Sequence, residues 1–256
     1  MYHVYKIAFL SIVKDEIRRF TRIWLQTLIP PVITTFLYFL IFGDIIGSRI
    51  GYMGNFRYME YIMPGLIMMS IINNAYGNVS SSFFSAKFQR SIEEILIAPV
   101  PTIVIIISYV CGGMARGICV GILVSIVSLM FVNIPIAHPM IVIITVLLTT
   151  LMLSLAGLLN GIFARNFDDI SIIPTFILTP LTYLGGVFYS IDLLSPFWQT
   201  LSHLNPIAYA ISAFRYGYLG MSAIDVTHTI IVLFIINIIL FATVYLSIEK
   251  GKKLRT

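Results

Sequence analysis

Side chains capable of catalysis are present in this sequence but nowhere gathered. His3, His138, His203 and His228 lie on separate segments, and no His-x-x-x-His or His-Glu-x-x-His spacing occurs. Asp168-Asp169 is the one acidic pair that invites a metal reading. No further carboxylate or His lies near it in sequence, so it reads as a helix start, where two carboxylates complement the dipole. There is no Gly-x-x-x-x-Gly-Lys-[Ser/Thr] run to cradle a phosphate. Cys111 and Cys119 are eight residues apart on one apolar stretch, roughly 12 Å along a helix and too far for a bridge. The sequence therefore predicts no catalytic residue, no cofactor and no metal on this chain.

Three other features carry chemistry of a different kind. The first is a pair of polar stripes at helical spacing inside apolar segments. Ser70, Asn74, Gly77, Ser81 and Ser85 form one, with Asn73 and Asn78 beside them; Ser171, Thr175, Thr179 and Thr182, followed by Tyr183, form the other. Such stripes either pack helix on helix or line a path for an amphiphilic cargo. Neither holds a charge, which argues against a channel for small ions or a proton relay. The second is Arg116, alone inside an apolar segment beside Gly112-Gly113-x-x-x-Gly117. The glycines read as a surface for close helix approach. The arginine can snorkel, pair with a carbonyl or meet a lipid phosphate.

The third feature is a short charged rod, Lys87 to Pro101. Phe88, Ile92, Ile95 and Leu96 fall on one side of it, Lys87, Arg90, Glu93 and Glu94 add charge, and Pro99 and Pro101 end it. A charged amphipathic helix between two membrane segments is a handle for a soluble partner. The plain alternative is a loop that joins two spans.

The elements that must position these groups follow from composition. The chain has 256 residues, 59% hydrophobic and 11% charged, with a mean hydropathy of +0.97; soluble domains run near a quarter charged. Residues 23–43, 61–86, 95–115, 170–191 and 226–248 carry no Asp, Glu, Lys or Arg, and each is long enough to cross a bilayer core. The uncharged stretch 117–164 is broken by Asn133 to Pro139 and allows two crossings. The sequence thus predicts an all-α integral membrane protein with six transmembrane helices. Twelve of the 16 Lys and Arg fall on the segments that hold both termini, the 87–101 rod and Arg165, so both termini are expected to be cytoplasmic. Residues 1–22 are too charged for a cleaved signal core.

Two segments depart from simple crossing. Residues 5–24 read as an interfacial helix, with Leu10, Val13, Ile17, Phe20 and Trp24 on one face and Lys14, Arg18, Arg19 and Arg22 on the other. Residues 186–226 are too polar and interrupted to cross; Asn205-Pro206 opens a helix over 207–219. They are expected to form short external re-entrant helices between spans five and six.

In that order of elements the chain resembles the ABC-2 type transport permeases, the membrane subunits of bacterial ABC exporters. The resemblance covers essentially the whole length as one domain. It is most specific over 178–215, in Leu178, Leu181, Leu184, Gly185 and Val187, then Leu194-Ser195, then Pro206-Ile207-Ala208-Tyr209 and Arg215. The Pro64 to Ser70 and Phe167 to Ser171 phrases look closest to the YadH-type inner-membrane permeases. The resemblance implies a homodimer in the bacterial inner membrane, driven by two copies of a separate ABC ATPase. ATP and Mg would sit on that partner. Residues 87–101 would be the coupling helix that docks in it, residues 5–24 the elbow helix, and the polar stripes would face one another across an alternating-access path. Membrane lipids are expected partners; nucleic acid is not. A membrane-embedded transferase or an insertase-like structural protein are the other readings. The first lacks a His/carboxylate pair, and the second would need no docking helix.

Overall fold

The computed structural model describes residues 2–97, 100–221 and 224–251. Almost all of them are helical. Helix α1 spans Tyr2–Arg22 and ends on Arg19 and Arg22, whose charge suits a helix C-terminus. The apolar rod Trp24–Ile50 follows. It is assembled from α2 (Trp24–Thr27), α3 (Ile29–Tyr38), a π-helical stretch Phe39–Ile46 and α4 (Gly47–Ile50). A minimal hairpin, β1 (Tyr52–Met53) against β2 (Phe56–Arg57), turns the chain at Gly54, where φ is +60° and a side chain would be strained.

Helix α5 then runs from Tyr58 to Phe88. After it come the short α6 (Ser91–Ile97), α7 (Thr102–Ser128) and α8 (Pro139–Phe163). A broken rod is next, made of α9 (Phe167–Ile173), a π turn Pro174–Leu178 and α10 (Thr179–Leu184). A 3₁₀ turn Ile191–Leu193, α11 (Pro196–His203), α12 (Pro206–Leu219) and α13 (Val226–Glu249) complete the chain. Asn205 accepts from the Ile207 N–H and Pro206 takes the first turn of α12, as the sequence predicts.

Helix α5 is the centre, with its largest interfaces against α8 and α7. The approach is close because glycines face backbone. A Cβ on Gly157 of α8 would stand 2.4 Å from the Tyr76 carbonyl oxygen, and one on Gly113 of α7 3.0 Å from that of Ala75. Leu66, Ile67, Met68 and Ile72 of α5 and Ile211 and Phe214 of α12 fill the main core. A second cluster around Phe83, Ile92, Ile105, Ile106 and Leu158 fills the end that carries α6.

Four described helices are long and apolar enough to cross a membrane: Trp24–Ile50, Thr102–Ser128, Pro139–Phe163 and Val226–Glu249. The sequence predicts six. The two that fall outside this criterion are α5, diluted by its asparagines and serines, and the broken rod 167–184.

Candidate functional site

The end of the bundle that carries α6 is built on a strained joint. Arg90, between α5 and α6, has φ of +60°, a left-handed conformation that non-glycine residues adopt at a cost. Lys87, just before it, is buried. Its Nζ donates to the carbonyls of Ile162 (2.8 Å) and Ala164 (2.9 Å), the last acceptors of α8. An ammonium there satisfies orphan carbonyls and sits at the negative end of the dipole. Ile92 is also inside, in the cluster with Phe83 and Ile105. These two positions correct the sequence reading, which placed Lys87 and Ile92 on the surface offered to a partner. The chain's own α8 and core take them first.

What faces outward is Phe88, Arg90, Glu94 and Ile97, with Glu93 half-buried; Ile97 is 84% exposed. The side chains of Ile95 and Leu96, and Pro99 altogether, lie outside what is described. Phe88 is braced rather than free. Its ring meets Phe167 at 5.1 Å and 62°, and Phe84 meets Phe167 at 5.0 Å and 84°, edge-on geometries that aromatic pairs favour. Phe167 opens α9, whose start is fixed by a reciprocal cap. Asn166 accepts from the Asp169 N–H at 2.8 Å, and the Asp169 carboxylate accepts from the Arg165 N–H at 2.8 Å. The acidic pair thus serves a helix start. Nothing in the sequence pointed to Phe84 or Phe167 as supports for the α6 end.

The stripe on α5 is divided among three neighbours. Asn78 is fully buried against α1. Arg19 donates to its side-chain oxygen (3.0 Å) and its carbonyl (2.8 Å), and reaches the Ser81 hydroxyl at 3.5 Å. Glu16 pairs with Arg19 at 3.5 Å and accepts from the Asn78 amide at 3.4 Å and from the Ser82 hydroxyl. Burial pushes the Glu16 carboxyl above its usual range, with Arg19 pulling the other way. Higher on α5, Asn74 accepts from Arg116 at 3.0 Å and donates to the Ser70 carbonyl at 2.9 Å, while Ser70 and Thr35 share a bond of 3.1 Å. Asn73 is exposed, and Ser70 and Ser81 are half-buried.

On the second stripe, Thr175 and Tyr183 face outward and Thr179 is half-buried, bonded to the Pro174 carbonyl at 2.9 Å. Thr182 is buried and bonded to the Leu178 carbonyl at 2.7 Å. The faces left open by this chain are therefore lined by Ser70, Asn73, Ser81, Thr175, Thr179 and Tyr183.

The residues of the 178–215 motif come together at the opposite end. Arg215 is buried, with Nε donating to the Tyr61 carbonyl (3.2 Å), one terminal nitrogen to the Tyr61 hydroxyl (3.1 Å) and the other to the Gly186 carbonyl (2.6 Å). Its guanidinium carbon lies 4.1 Å from the centre of the Tyr61 ring. Gly185 packs on Ile211, and Asn205 donates to the Leu181 carbonyl at 2.6 Å. Tyr209 instead turns to α13, its ring 5.8 Å from His228. The motif is thus a clasp joining α5, the turn after α10 and α12. Among the described residues no three of His, Cys, Asp and Glu gather into a metal-binding group.

Residues 7–219 match the family model described as ABC-2 type transporter. The chain is 59% identical over 256 residues, all of both chains, to the inner membrane transport permease YadH of Escherichia coli strain K12. It is 21% identical over 192 residues to nodulation protein J of Neorhizobium galegae, covering 75% of this chain and 73% of that one. For nodulation protein J of Sinorhizobium fredii the identity is 24% over 197 residues, with 75% and 72% covered.

Proposed function

This chain belongs to the ABC-2 type transporter family, and from that premise we propose that it is the permease subunit of an inner-membrane exporter. In this reading two copies form the membrane part and a separate ABC ATPase, also in two copies, supplies the work. ATP and Mg are bound by that partner. The cargo is an amphiphile of lipid or glycan type, moved by alternating access. Helix α5 and the 167–184 rod supply the two crossings beyond the four apolar ones, which makes six. Over its length α5 reaches about 45 Å, enough to span. Residues 186–226 lie at the external end and both termini at the cytoplasmic end.

The single observation that supports this best is the α6 end. It presents Phe88, Arg90, Glu94 and Ile97 outward while Lys87 ties the same joint to α8 and Phe167 ties it to α9. A push on α6 would reach two helices at once. Glu93 and the Ile95 and Leu96 positions complete the proposed docking rod. Ser70, Asn74, Asn78, Ser81, Thr175, Thr179, Thr182 and Tyr183 belong to the two rows proposed for the path, with the buried members holding the exposed ones in place.

Reversing one exposed charge tests the docking. Glu94→Arg is expected to leave the chain folded and inserted, to reduce recovery of the ATPase on co-purification by roughly tenfold, and to make ATP hydrolysis unresponsive to cargo. Phe88→Ala combined with Leu96→Ala should do the same. Normal binding and transport in these variants would end the docking assignment.

A further inference from the structure

We propose that the cavity around Arg116 is a binding site for a single anionic headgroup, a phosphate or similar monoanion carried by a membrane amphiphile. The site goes beyond the docking and path assignments; it shares Asn74 with the row proposed for the path, and its binding test needs neither assignment. A space of about 320 Å³ opens between α2, α3, α5 and α7, lined by Arg116, Asn73, Asn74, Gln26 and Thr34. Arg116 is its only charge. The guanidinium spends one terminal nitrogen on Asn74 (3.0 Å) and a longer contact on the Thr27 carbonyl (3.5 Å), and its Nε is buried without a partner. Among the described residues the one ion pair is Glu16–Arg19, so Arg116 has no counter-anion.

A guanidinium cannot shed its proton and presents a planar fork that matches a phosphate. Left uncompensated away from water it is costly, and an incoming anion removes that cost. The cavity also holds spare donors. Asn73, Gln26 and Thr34 are exposed, and their side chains make no hydrogen bond among the described residues.

The local backbone explains why a lone arginine sits here. Pro30 and Pro31 lack the N–H groups that would bond the Gln26 and Thr27 carbonyls. Thr27 is thereby freed as an acceptor, and Arg116 uses it. The height is right for a headgroup. Exposed Trp24, two residues after Arg22, opens the apolar rod, and such residues mark the membrane interface. Thr27 lies three residues on, about 4.5 Å higher along a helix. Above Thr34 the exposed Leu37 and Ile41 continue the same side of the rod, a track for an acyl chain.

The test is native mass spectrometry of the full-length chain titrated with phosphatidylglycerol and, separately, phosphatidylcholine. The expected result is one phosphatidylglycerol per chain held about tenfold more tightly than phosphatidylcholine, a preference lost in Arg116→Gln and partly kept in Arg116→Lys. Equal binding of the two lipids by the wild type would overturn the proposal, as would an Arg116→Gln chain of unchanged thermal stability that keeps the preference. Should Arg116→Gln fail to fold, the exposed pair Thr34→Val with Asn73→Leu carries the test. Weaker phosphatidylglycerol binding supports the site, and unchanged binding overturns it. Adding the ATPase and ATP separates two sources of the same headgroup. Release on turnover identifies a cargo headgroup and retention a resident lipid, and either supports an anion site.

Discussion

Arg215 shows how much one side chain can hold. It reaches residues 154 positions away at Tyr61 and 29 away at Gly186, and its removal would take a charged donor from carbonyls of two segments. Arg215→Lys keeps the charge but supplies a single point where three nitrogens now donate. We expect it to lower stability by about 2 to 4 kcal/mol, read as a drop in melting temperature of the detergent-solubilised chain, and a melt within a degree of wild type would show the clasp to be dispensable. The sequence marked Gly185, Pro206 and Arg215 as a motif but gave no hint of Tyr61, because no local spacing links positions so far apart. Lys87 was misread for a related reason. A lysine beside an exposed phenylalanine looks like surface, and only the arrival of the α8 terminus, 75 residues later in the chain, turns it inward.

At the scale of the element, what the sequence revealed was local. Asn205-Pro206 announces α12 because cap and first turn are neighbours in the chain. Gly112-Gly113-x-x-x-Gly117 announces close packing because small residues on one face have few other uses; Gly113 and Gly117 do meet α5, while Gly112 meets Glu16 of α1. The stripe on α5 was visible, but the partner of each member was not. Glu16 of α1 is buried, and so is Phe20 of its apolar row, while Leu10 and Ile17 of that row stay exposed, so α1 shows a largely polar edge to the bundle and keeps Leu10 and Ile17 for another surface. From this, Asn78→Leu combined with Ser82→Val should strand Glu16 and Arg19 and loosen α1, costing about 2 to 3 kcal/mol. Limited proteolysis within residues 2–22 should become several-fold faster. If cleavage is unchanged, the polar contacts are not what hold α1.

The whole molecule has one polarity. The α6 joint with its lysine and aromatic braces lies at one end, and the Arg215 clasp, the 191–203 turns and the 133–138 segment lie at the other, where the His138 and Tyr216 rings stack at 4.9 Å and 10°. The proposed orientation puts the first end in the cytoplasm. A reporter active only outside the cell should therefore work when fused at His138 and fail at Thr256, and activity at Thr256 would refute the six-span arrangement. The count of crossings was the least legible property at this scale. It depends on α5, which the sequence reads as a crossing for its lack of charge over 61–86, which is not among the four helices apolar enough to cross, and whose buried amides are met by α1 and α7.

That dependence bears on how the chain is made. Synthesis runs from the N-terminus, so Glu16 and Arg19 are already at the membrane when Asn78 and Ser82 emerge, whereas α7 and α8 are still to come. For that interval α1 is the neighbouring helix with side-chain partners for Asn78 and Ser82, and α5 would behave as a guest admitted on the strength of an earlier arrival. The doubly apolar Asn78→Leu, Ser82→Val helix would need no such host: it would enter the bilayer unaided and leave α1 with nothing to hold.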